Sequence, residues 1–299
     1  MRYLGIDIGG TEIKHGVYDE FGHSLINSPE RIKSVRDDLD SIIDIIEKIV
    51  AKYSNLDAIG LSIPGGVNTK SGLVIEGGAI PTLSNQYIGK IIEERTGIRT
   101  VIENDANCAI LAEHWSGNGV GIENLVCITI GSGIGGGIII NNQLYTGSNY
   151  MAGEFGYMIM KEFKGYLNYE IMSENSATEV LVHQVSHALS IPVENMTGKK
   201  VFELLDSGNI EIRYVYEEWI RCLSTGIYNI AFALDPEKIL LGGGVSASQR
   251  LIDDVRKALR LMTPYSHKWE LDSCKHRNDA GKIGAAYNCI ITEENDEKN

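Results

Sequence analysis

Residues 3–26 read YLGIDIGGTEIKHGVYDEFGHSLI, and this segment decides the fold. Its apolar residues predict strands over Tyr3–Ile8, Ile13–Tyr18 and His23–Ile26. The glycine pair between the first two strands predicts a tight turn, because adjacent glycines permit backbone conformations that other residues avoid. The same glycines let a ligand approach the main chain closely. The segment therefore predicts a β-hairpin whose turn could lie beside a ligand.

Asp7 is the residue of this hairpin that points most directly to chemistry. It lies between Ile6 and Ile8 in the first predicted strand, two residues before Gly9. Burying a carboxylate among apolar neighbours is costly unless it is paired. A carboxylate at this position could hold Mg²⁺, directly or through water. An ordinary hairpin with one buried polar residue is the alternative, and we favour the functional interpretation.

A second glycine-rich hairpin repeats the first. Residues 126–146 again read as strand, glycine turn, apolar strand, short turn and strand. Gly131, Gly133 and Gly136 satisfy the GxGxxG dinucleotide fingerprint. That motif requires a helix after it, whereas Ile138–Ile140 is β-type, so we reject the dinucleotide interpretation. Successive backbone N–H groups of the turn can still form an anion-binding nest. The duplication predicts two related lobes, and two such hairpins suit the phosphates of a nucleotide.

The third informative segment is RTVIENDANCAILAEHW, residues 99–115. Thr100–Ile102 predicts the end of a strand, and Ala106–Trp115 predicts a helix. Asp105 would lie where the strand hands over to the helix, at the strand end where open α/β folds bind ligands. Its carboxylate could accept a proton from a bound hydroxyl. Taken alone, the segment favours the simpler interpretation that Asn104 or Asp105 caps the helix.

The remaining patterns describe a scaffold with further glycine-terminated strands. Strands end in Pro64-Gly65-Gly66, in Gly77-Gly78 and in Gly242-Gly243-Gly244. The last of these is followed by a helix, and such a unit could receive the base and ribose of a nucleotide by close backbone approach. Helices are predicted at 36–53, 87–96, 173–190, 199–206, 210–234, 247–262 and 279–291. Residues 161–170 are predicted to be irregular.

Two further acidic residues, Glu154 and Glu174, are candidates for ligand binding. Glu154 is the one carboxylate of a loop of small residues, AGEFG, at 152–156. Glu174 lies near the start of the predicted helix at 173–190, where an acidic side chain is favoured electrostatically. Taken alone, Glu174 is therefore better explained as a cap than as a ligand-binding group.

Composition excludes several classes of function. The chain carries 40 acidic and 27 basic residues, a formal charge of −13, which argues against a nucleic-acid partner. There is no apolar run of about 18 residues, so no membrane span is predicted. The five cysteines are far apart and form no CxxC pair, so neither a disulfide framework nor a zinc site is indicated. Without a secretory signal at its start, we expect a cytoplasmic protein.

These motifs, in this order, resemble the ROK family of bacterial sugar kinases and related repressors, which belongs to the actin/hexokinase superfamily. The resemblance runs over nearly the whole chain. It is carried by LGIDIGGTEIKHGVYD at 4–19, ENDANCAILAE at 103–113, GSGIGGGIIINNQLYTGSNYMAGEFG at 131–156 and LDPEKILLGGGVS at 234–246.

The resemblance implies an α/β fold of two duplicated actin-like (ribonuclease H-like) ATPase domains around an interdomain cleft. The expected N-terminal domain is 1–115, joined by the C-terminal helix at about 279–292, and the C-terminal domain is 116–278. ATP with Mg²⁺ would be the phosphoryl donor, a sugar the acceptor, and a homodimer the assembly. No nucleic acid and no membrane is expected as a partner.

The resemblance also implies a role for individual residues. Asp105 would be the catalytic base, and Asp7 would lie near Mg²⁺. The sugar would be bound by Gly66, Asn104, Asp105, Glu154, Tyr157 and Glu174. The nucleotide would be bound by Asp7, Gly9, Gly10, Thr11, Lys14, Gly131, Ser132, Gly133, Gly135, Gly136, Gly243 and Gly244.

Two departures from the family pattern bear on the substrate. The family commonly has His after its GE-x-G motif, which binds sugar and a structural zinc, and then a cysteine-rich segment. Here the position is Tyr157, and residues 158–175 contain neither Cys nor His, so no structural zinc is expected. The acidic residue that usually follows the cysteines corresponds to Glu174, with Glu170 as the alternative. Zinc-free members of this kind are similar to β-glucoside kinases and to candidate N-acetylmannosamine kinases.

The expected reaction is phosphoryl transfer from ATP to a sugar hydroxyl, most simply the 6-hydroxyl of a β-glucoside, N-acetylmannosamine or glucose. The first alternative is a non-catalytic sugar-sensing regulator of the same family. Such regulators carry a helix-turn-helix segment before the first hairpin, whereas only Met1 and Arg2 precede Tyr3 here. The second alternative is a motor or chaperone ATPase of the same superfamily, which would have no need of the ENDAN and AGE motifs.

Overall fold

The computed structural model of the chain describes residues 1–26, 30–162 and 169–297. The chain divides into two compact units, which we call unit 1 and unit 2. Unit 1 comprises Met1–Val120, Leu144–Ala152 and Asn278–Asn299, and unit 2 comprises Gly121–Gln143 and Gly153–Arg277.

The strands and helices follow one another through the chain in a mixed α/β order. The strands are β1 (Tyr3–Ile8), β2 (Glu12–Tyr18), β3 (Arg31–Lys33), β4 (Ala58–Ile63), β5 (Val67–Asn68), β6 (Leu73–Val74), β7 (Thr100–Asn104), β8 (Leu125–Ile130), β9 (Ile134–Ile140), β10 (Gln143–Leu144), β11 (Ile159–Glu162), β12 (Tyr169–Ile171), β13 (Lys238–Gly242) and β14 (Glu270–Ser273). The helices are α1 (Leu39–Val50), α2 (Ile88–Thr96), α3 (Asp105–Ser116), α4 (Met172–Ser176), α5 (Thr178–Ala188), α6 (Gly198–Asp206), α7 (Arg213–Leu234), α8 (Gln249–Met262) and α9 (Ala280–Glu297).

The sheet of unit 1 has the strand order β3-β2-β1-β4-β7. Strands β1, β4 and β7 are parallel, and β2 pairs with β1 as an antiparallel hairpin. On one face of the sheet, a core of buried aliphatic residues is completed by α1, whose isoleucines recur at helical spacing. Asp38 caps this helix by accepting a hydrogen bond from the backbone N–H of Asp40 at 3.1 Å. The amphipathic pattern and the cap together explain why this segment is helical.

The other face of the same sheet packs against α3 and α9. A Cβ atom on Gly60 would lie 1.8 Å from the carbonyl oxygen of Ala285, so the helix backbone rests directly on the strand. A Cβ atom on Gly284 would lie 1.8 Å from the carbonyl oxygen of Cys108, so α3 and α9 are equally close. This contact makes the C-terminal helix an integral part of unit 1.

The sheet of unit 2 has the strand order β10-β9-β8-β13-β14, with β8 and β9 forming an antiparallel hairpin and β8, β13 and β14 parallel. Counted within each five-stranded sheet, the strands of both sheets run third, second, first, fourth, fifth. The duplication that the two glycine-rich hairpins predict is therefore present in the topology. A strand, β9, follows the glycines at 131–133, as the rejection of the dinucleotide fingerprint requires.

The structure corrects the prediction of a strand at His23–Ile26. The carboxylate of Asp19 accepts hydrogen bonds from the backbone N–H groups of Phe21 and His23, which fixes a turn there. Only an isolated bridge between Tyr18 and Ser24 follows, and the third strand of the sheet is β3.

The predicted helix at 173–190 is two helices, α4 and α5. Ala177 between them is extended, and the N–H of Thr178 donates to the carbonyl oxygen of Gly131 at 2.9 Å instead of continuing the helix. The prediction that 161–170 is irregular is also wrong at both ends, where β11 and β12 pair with each other. Residues 163–168 lie outside the described residues. Strand β14 carries no pattern that the sequence reading detected.

Candidate active site

A row of four polar side chains crosses the sheet of unit 1 near the ends of its strands. Lys14, Asp7, Ser62 and Glu103 are register partners on β2, β1, β4 and β7 in turn. The Nζ of Lys14 lies 3.3 Å from Oδ2 of Asp7, and Oγ of Ser62 donates to Oδ1 of Asp7 at 2.9 Å. Asp7 is thus a paired carboxylate, which resolves the cost of placing it in an apolar strand. We call this set the unit 1 row.

Glu103 at the end of the row is a buried carboxyl that sequence reasoning did not single out. It is 3% exposed, and its Oε1 accepts hydrogen bonds from the backbone N–H of Asn104 at 2.8 Å and from Nδ2 of Asn107 at 2.9 Å. Burial raises its pKa from 4.5 to about 7, although these two hydrogen bonds oppose the shift. The carboxyl supports the backbone where β7 becomes α3.

Asn104 and Asp105 occupy that handover as predicted, and the cap is Asn104. Its Oδ1 accepts from the N–H groups of Ala106 at 2.9 Å and Asn107 at 3.1 Å, which satisfies the helix start. Its Nδ2 donates to the carbonyl oxygen of Gly65 at 2.8 Å. Asp105 is the first residue of α3 and is exposed, with Oδ1 accepting from the N–H of Ala106 at 2.8 Å. The cap and the predicted base are therefore adjacent residues, Asn104 and Asp105.

Asn104 holds the loop at Gly65–Gly66, and this loop packs against a second glycine loop at Gly77–Gly78. Gly65 has a φ of +89°, and a Cβ atom there would lie 2.2 Å from the carbonyl oxygen of Glu76. The N–H of Ile75 donates to the carbonyl oxygen of Gly66 at 2.8 Å. The two predicted glycine-terminated strands thus end in loops that pack backbone against backbone.

The glycine turn of the first hairpin lies against this second loop. A Cβ atom on Gly10 would lie 2.9 Å from the Cβ of Ala79, and the N–H of Gly9 donates to the carbonyl oxygen of Glu12 at 3.1 Å. An unbroken series of contacts therefore runs from Gly10 through the two loops to Asn104 and its neighbour Asp105. Unit 1 brings together the predicted residues Gly9, Gly10, Thr11, Gly66, Asn104 and Asp105. Lys14 contacts Asp7 and also donates from Nζ to the carbonyl oxygen of Asn278 at 3.1 Å.

Unit 2 assembles its predicted residues around the second glycine hairpin. The N–H of Gly131 donates to the carbonyl oxygen of Gly133 at 2.9 Å, which closes the turn around Ser132. Oγ of Ser173 accepts from the N–H of Ile134 at 2.9 Å. Sequence reasoning missed Ser173, whose only signal was its place beside Glu174 at the start of α4.

The AGEFG loop packs on the same hairpin. A Cβ atom on Gly136 would lie 2.3 Å from Cδ2 of Phe155, so loop and strand are in direct contact. Glu154 immediately precedes a short 3₁₀ turn that ends at Tyr157, whose side chain is 63% exposed. Glu154 and Tyr157 thus belong to one small loop beside Gly135 and Gly136.

Glu174 caps the start of α4, as its local sequence favours. Its Oε2 accepts from the N–H of Ile171 at 3.1 Å, just before α4 begins. Glu170, the alternative for the sugar site, lies in β12 opposite Lys161. Neither arrangement selects one of the two residues as the sugar ligand.

Gly243 and Gly244 follow β13 in a short 3₁₀ turn, and α8 starts at Gln249 rather than at 247. Gly243 has a φ of +89°, and a Cβ atom there would lie 2.1 Å from the carbonyl oxygen of Ile130. Only glycine fits this close approach between the ends of β13 and β8. Gly131 follows Ile130 directly, so both predicted glycine sets of unit 2 lie at one edge of its sheet.

Among residues 1–26, 30–162 and 169–297, no three His, Cys, Asp or Glu residues form a cluster that could hold a metal ion. Over the same ranges, no helix has the length and apolar character needed to cross a membrane.

Comparison with known proteins identifies the family to which this chain belongs. The model of the ROK family matches residues 3–290, and the chain belongs to the ROK family. A beta-glucoside kinase from Listeria monocytogenes is 34% identical over 297 residues, covering 99% of this chain and 99% of the relative. These matches make the chain a carbohydrate kinase, which transfers a phosphoryl group to a sugar hydroxyl.

Solved structures agree with this class. A Listeria monocytogenes protein described as a candidate N-acetylmannosamine kinase has a TM-score of 0.90 at 32% identity, covering 98% of this chain and 100% of that one. A ROK family glucokinase from Streptomyces griseus, in complex with glucose and AMPPNP, has a TM-score of 0.81 at 28% identity, covering 96% and 98%. The fold is that of the actin-like ATPases. The matches to kinases do not favour the sugar-sensing regulator.

Proposed function

We propose that this kinase transfers the γ-phosphoryl group of ATP to the 6-hydroxyl of a hexose or hexose derivative. The nucleotide is supported by the AMPPNP complex of the Streptomyces griseus glucokinase. The candidate acceptors are a β-glucoside, N-acetylmannosamine and glucose, since the relatives are named for each of these sugars. The absence of the family's His at Tyr157 leaves the recognised set of hydroxyls open among them.

One observation carries the proposal. In unit 1 a continuous series of contacts joins the glycine turn at Gly10 to the start of α3, where Asp105 lies exposed. A phosphate-binding turn and a carboxylate that can take a hydroxyl proton are thereby fixed on one rigid framework. Positioning of this kind supplies most of the acceleration in phosphoryl transfer.

Asp105 is the proposed general base. Its place in the first turn of α3 fixes its backbone, because Asn104 caps the helix and Glu103 holds the N–H of Asn104. The carboxylate accepts the proton of the sugar hydroxyl as that oxygen attacks phosphorus, a contribution on the order of 10²–10⁴-fold. Gly66 and Asn104 are proposed to contact the sugar beside it.

The residues of the first hairpin are proposed to bind the phosphates. Gly9, Gly10 and Thr11 offer backbone N–H groups, and Lys14 offers its ammonium group. Asp7 would hold Mg²⁺, directly or through water. The donor set fits, because Mg²⁺ in kinases takes only one or two carboxylates and completes its shell with water and phosphate oxygens. When bound, the ion would neutralise charge that develops on the phosphate oxygens.

Unit 2 is proposed to supply the remaining groups. Gly131, Ser132, Gly133, Gly135 and Gly136 would bind phosphate through the second glycine turn, and Gly243 and Gly244 would border the adenosine. Glu154, Tyr157 and either Glu174 or Glu170 would contact the sugar. We further propose that the functional domains are 1–115 with 279–292, and 116–278, and that the enzyme is a cytoplasmic homodimer without a structural zinc.

The test is Asp105→Asn, with Asp40→Asn as its matched control. Asp40 is also an exposed acid in the first turn of a helix, α1. We expect Asp105→Asn to fold and to bind sugar while kcat, measured by coupled ADP release, falls on the order of 100-fold or more. Asp40→Asn should retain the parent kcat. Activity of Asp105→Asn within about tenfold of the parent, below the usual general-base contribution, would overturn the assignment.

The sugar is identified by a screen of ADP release against glucose, N-acetylmannosamine, N-acetylglucosamine, fructose, cellobiose and gentiobiose. Acceptance of the two disaccharides would support a β-glucoside as substrate. ADP release at the same rate with and without every sugar of the screen would overturn the proposed acceptors.

A further inference from the structure

Arg36, in the loop between β3 and α1, contacts the first glycine turn. Its Nε donates a hydrogen bond to the carbonyl oxygen of Gly10. The N–H of Ser34 in the same loop donates to the carbonyl oxygen of Thr11 at 2.9 Å. Two hydrogen bonds therefore hold this loop on the turn, and the guanidinium group has a fixed place beside it.

No carboxylate in the described part of the chain neutralises the charge of Arg36, whereas two other cations near the turn are paired. Lys14 is paired with Asp7, and Arg31 is paired with Glu12. Arg36 forms no ion pair with any residue that the structure describes, and its only hydrogen bond there is to a neutral carbonyl oxygen.

The guanidinium lies on the side of the turn that leads to the base. A Cβ atom on Gly10 would lie 2.9 Å from the Cβ of Ala79 and 3.5 Å from Nη2 of Arg36. Ala79 belongs to the loop through which the turn is connected to Asn104. The terminal nitrogens of Arg36 are therefore placed where the glycine turn meets the loops that lead to Asp105.

We propose that Arg36 binds the phosphoryl group that is transferred from ATP, through its Nη nitrogens. This inference rests on the proposed function, since it assigns a second cation to the same phosphate turn. A guanidinium group suits the task, because its planar fork of N–H donors matches two phosphate oxygens at once. Lys14, whose ammonium group is shared between Asp7 and a backbone carbonyl, is left with fewer donors for the phosphates.

A purely structural role for Arg36, holding the carbonyl oxygen of Gly10, makes a different prediction. Loss of that hydrogen bond would disturb the turn for every nucleotide that binds there. If Arg36 instead contacts the transferred phosphoryl group, its loss weakens the binding only of a nucleotide that carries that group. AMPPNP and ADP differ in this group, so their dissociation constants separate the two roles.

The experiment measures binding of AMPPNP and of ADP by calorimetry to the parent and to Arg36→Ala, Arg36→Lys and Lys33→Ala. Lys33 is the matched control, an exposed cation three residues upstream on β3. Removing a hydrogen bond to a charged group costs on the order of 10- to 100-fold in affinity, so we expect that loss for AMPPNP with Arg36→Ala. ADP affinity should fall by much less than AMPPNP affinity, because ADP is affected only by the loss of the hydrogen bond to Gly10. Arg36→Lys should lose less AMPPNP affinity than Arg36→Ala, and Lys33→Ala should match the parent for both nucleotides.

Equal weakening of AMPPNP and ADP by Arg36→Ala would overturn the inference, and so would AMPPNP affinity equal to that of Lys33→Ala. Thermal melting of each variant shows whether it is folded. If Arg36→Ala does not fold, Arg36→Lys, which keeps a positive charge, is used for the comparison of the two nucleotides. These binding measurements do not depend on catalysis. Failure of the Asp105 assignment would therefore leave the result for Arg36 readable, whereas a parent protein that binds neither nucleotide would overturn both.

Discussion

The two sheets share one strand order, yet the rows of side chains at corresponding positions are chemically opposite. In unit 1 the row is Lys14–Asp7–Ser62–Glu103. In unit 2, Thr129 pairs with Gly135 on β9 and with Gly242 on β13. Cys274, just after β14, completes this row, because a Cβ atom on Gly242 would lie 3.2 Å from its Sγ. We call the set Gly135–Thr129–Gly242–Cys274 the unit 2 row.

The two rows differ in the chemical groups that they offer. The unit 1 row is charged and hydrogen-bonded, so it can hold a cation and pair with phosphate charge. The unit 2 row is small and uncharged, so it leaves the backbone of its glycine loops open to close approach. Cys274 of this row contacts Cys127 of β8, with their Sγ atoms 3.5 Å apart in the core. The same topology thus supplies charge in one unit and accessible backbone in the other.

The largest effect on this comparison is expected from Asp7→Asn, with Thr129→Val as the corresponding change in unit 2. Asp7→Asn removes the carboxylate that pairs with Lys14 and that we propose holds Mg²⁺. We expect kcat to fall on the order of 100-fold or more, as when one preorganised electrostatic group is lost. Thr129→Val should leave kcat unchanged. Steady-state kinetics at saturating ATP, with thermal melting to verify folding, makes the measurement, and equal losses in the two variants would break the comparison.

A smaller effect is expected on the pH dependence of stability, through Glu103. Burial raises the pKa of its carboxyl from 4.5 to about 7, so the folded state keeps a proton that the unfolded state releases above 4.5. The free energy of unfolding should therefore fall as pH rises from 4.5 to 7, by about 3 kcal/mol at 1.36 kcal/mol per pKa unit, and level off above.

Glu103→Gln tests this, because glutamine keeps an oxygen that can accept from Asn104 and Asn107 but cannot ionise. Relative to the parent, the variant should gain about 3 kcal/mol between pH 4.5 and pH 8 in urea unfolding. Cys274→Ser, at the corresponding place in unit 2, changes a buried polar group without removing a carboxyl and should follow the parent curve. Parallel curves for Glu103→Gln and the parent would show that the carboxyl does not titrate in this range.

Metal chelation is expected to have no effect on the stability of the protein. We expect elemental analysis to find no stoichiometric zinc and EDTA to leave the melting temperature unchanged. One zinc per chain would give unit 2 a charged centre of its own, and the contrast between the two rows would then be wrong.

Much of the site could be predicted because its signals are local. The glycine turns, the strand after GSGIGGG and the handover at Asn104–Asp105 each depend on residues within a few positions of one another. The errors have two causes. The turn made by Asp19 before His23 is local turn chemistry that was not recognised. The break before Thr178 is a long-range effect, because the N–H of Thr178 donates to the carbonyl oxygen of Gly131 and the helix is interrupted there. Strand β14 went undetected because its pairing with β13 defines it.

The sequence by itself determined the duplicated hairpins, the place of Asp105 at the strand-to-helix handover and the family, since turn chemistry, periodicity and motif order are written along the chain. Only the tertiary structure decided what surrounds them. The unit 1 row needs four strands in register, the raised pKa of Glu103 needs burial, and Arg36 reaches Gly10 across 26 residues. These features depend on distances between segments that are remote in sequence, and such distances exist only once the sheet has formed.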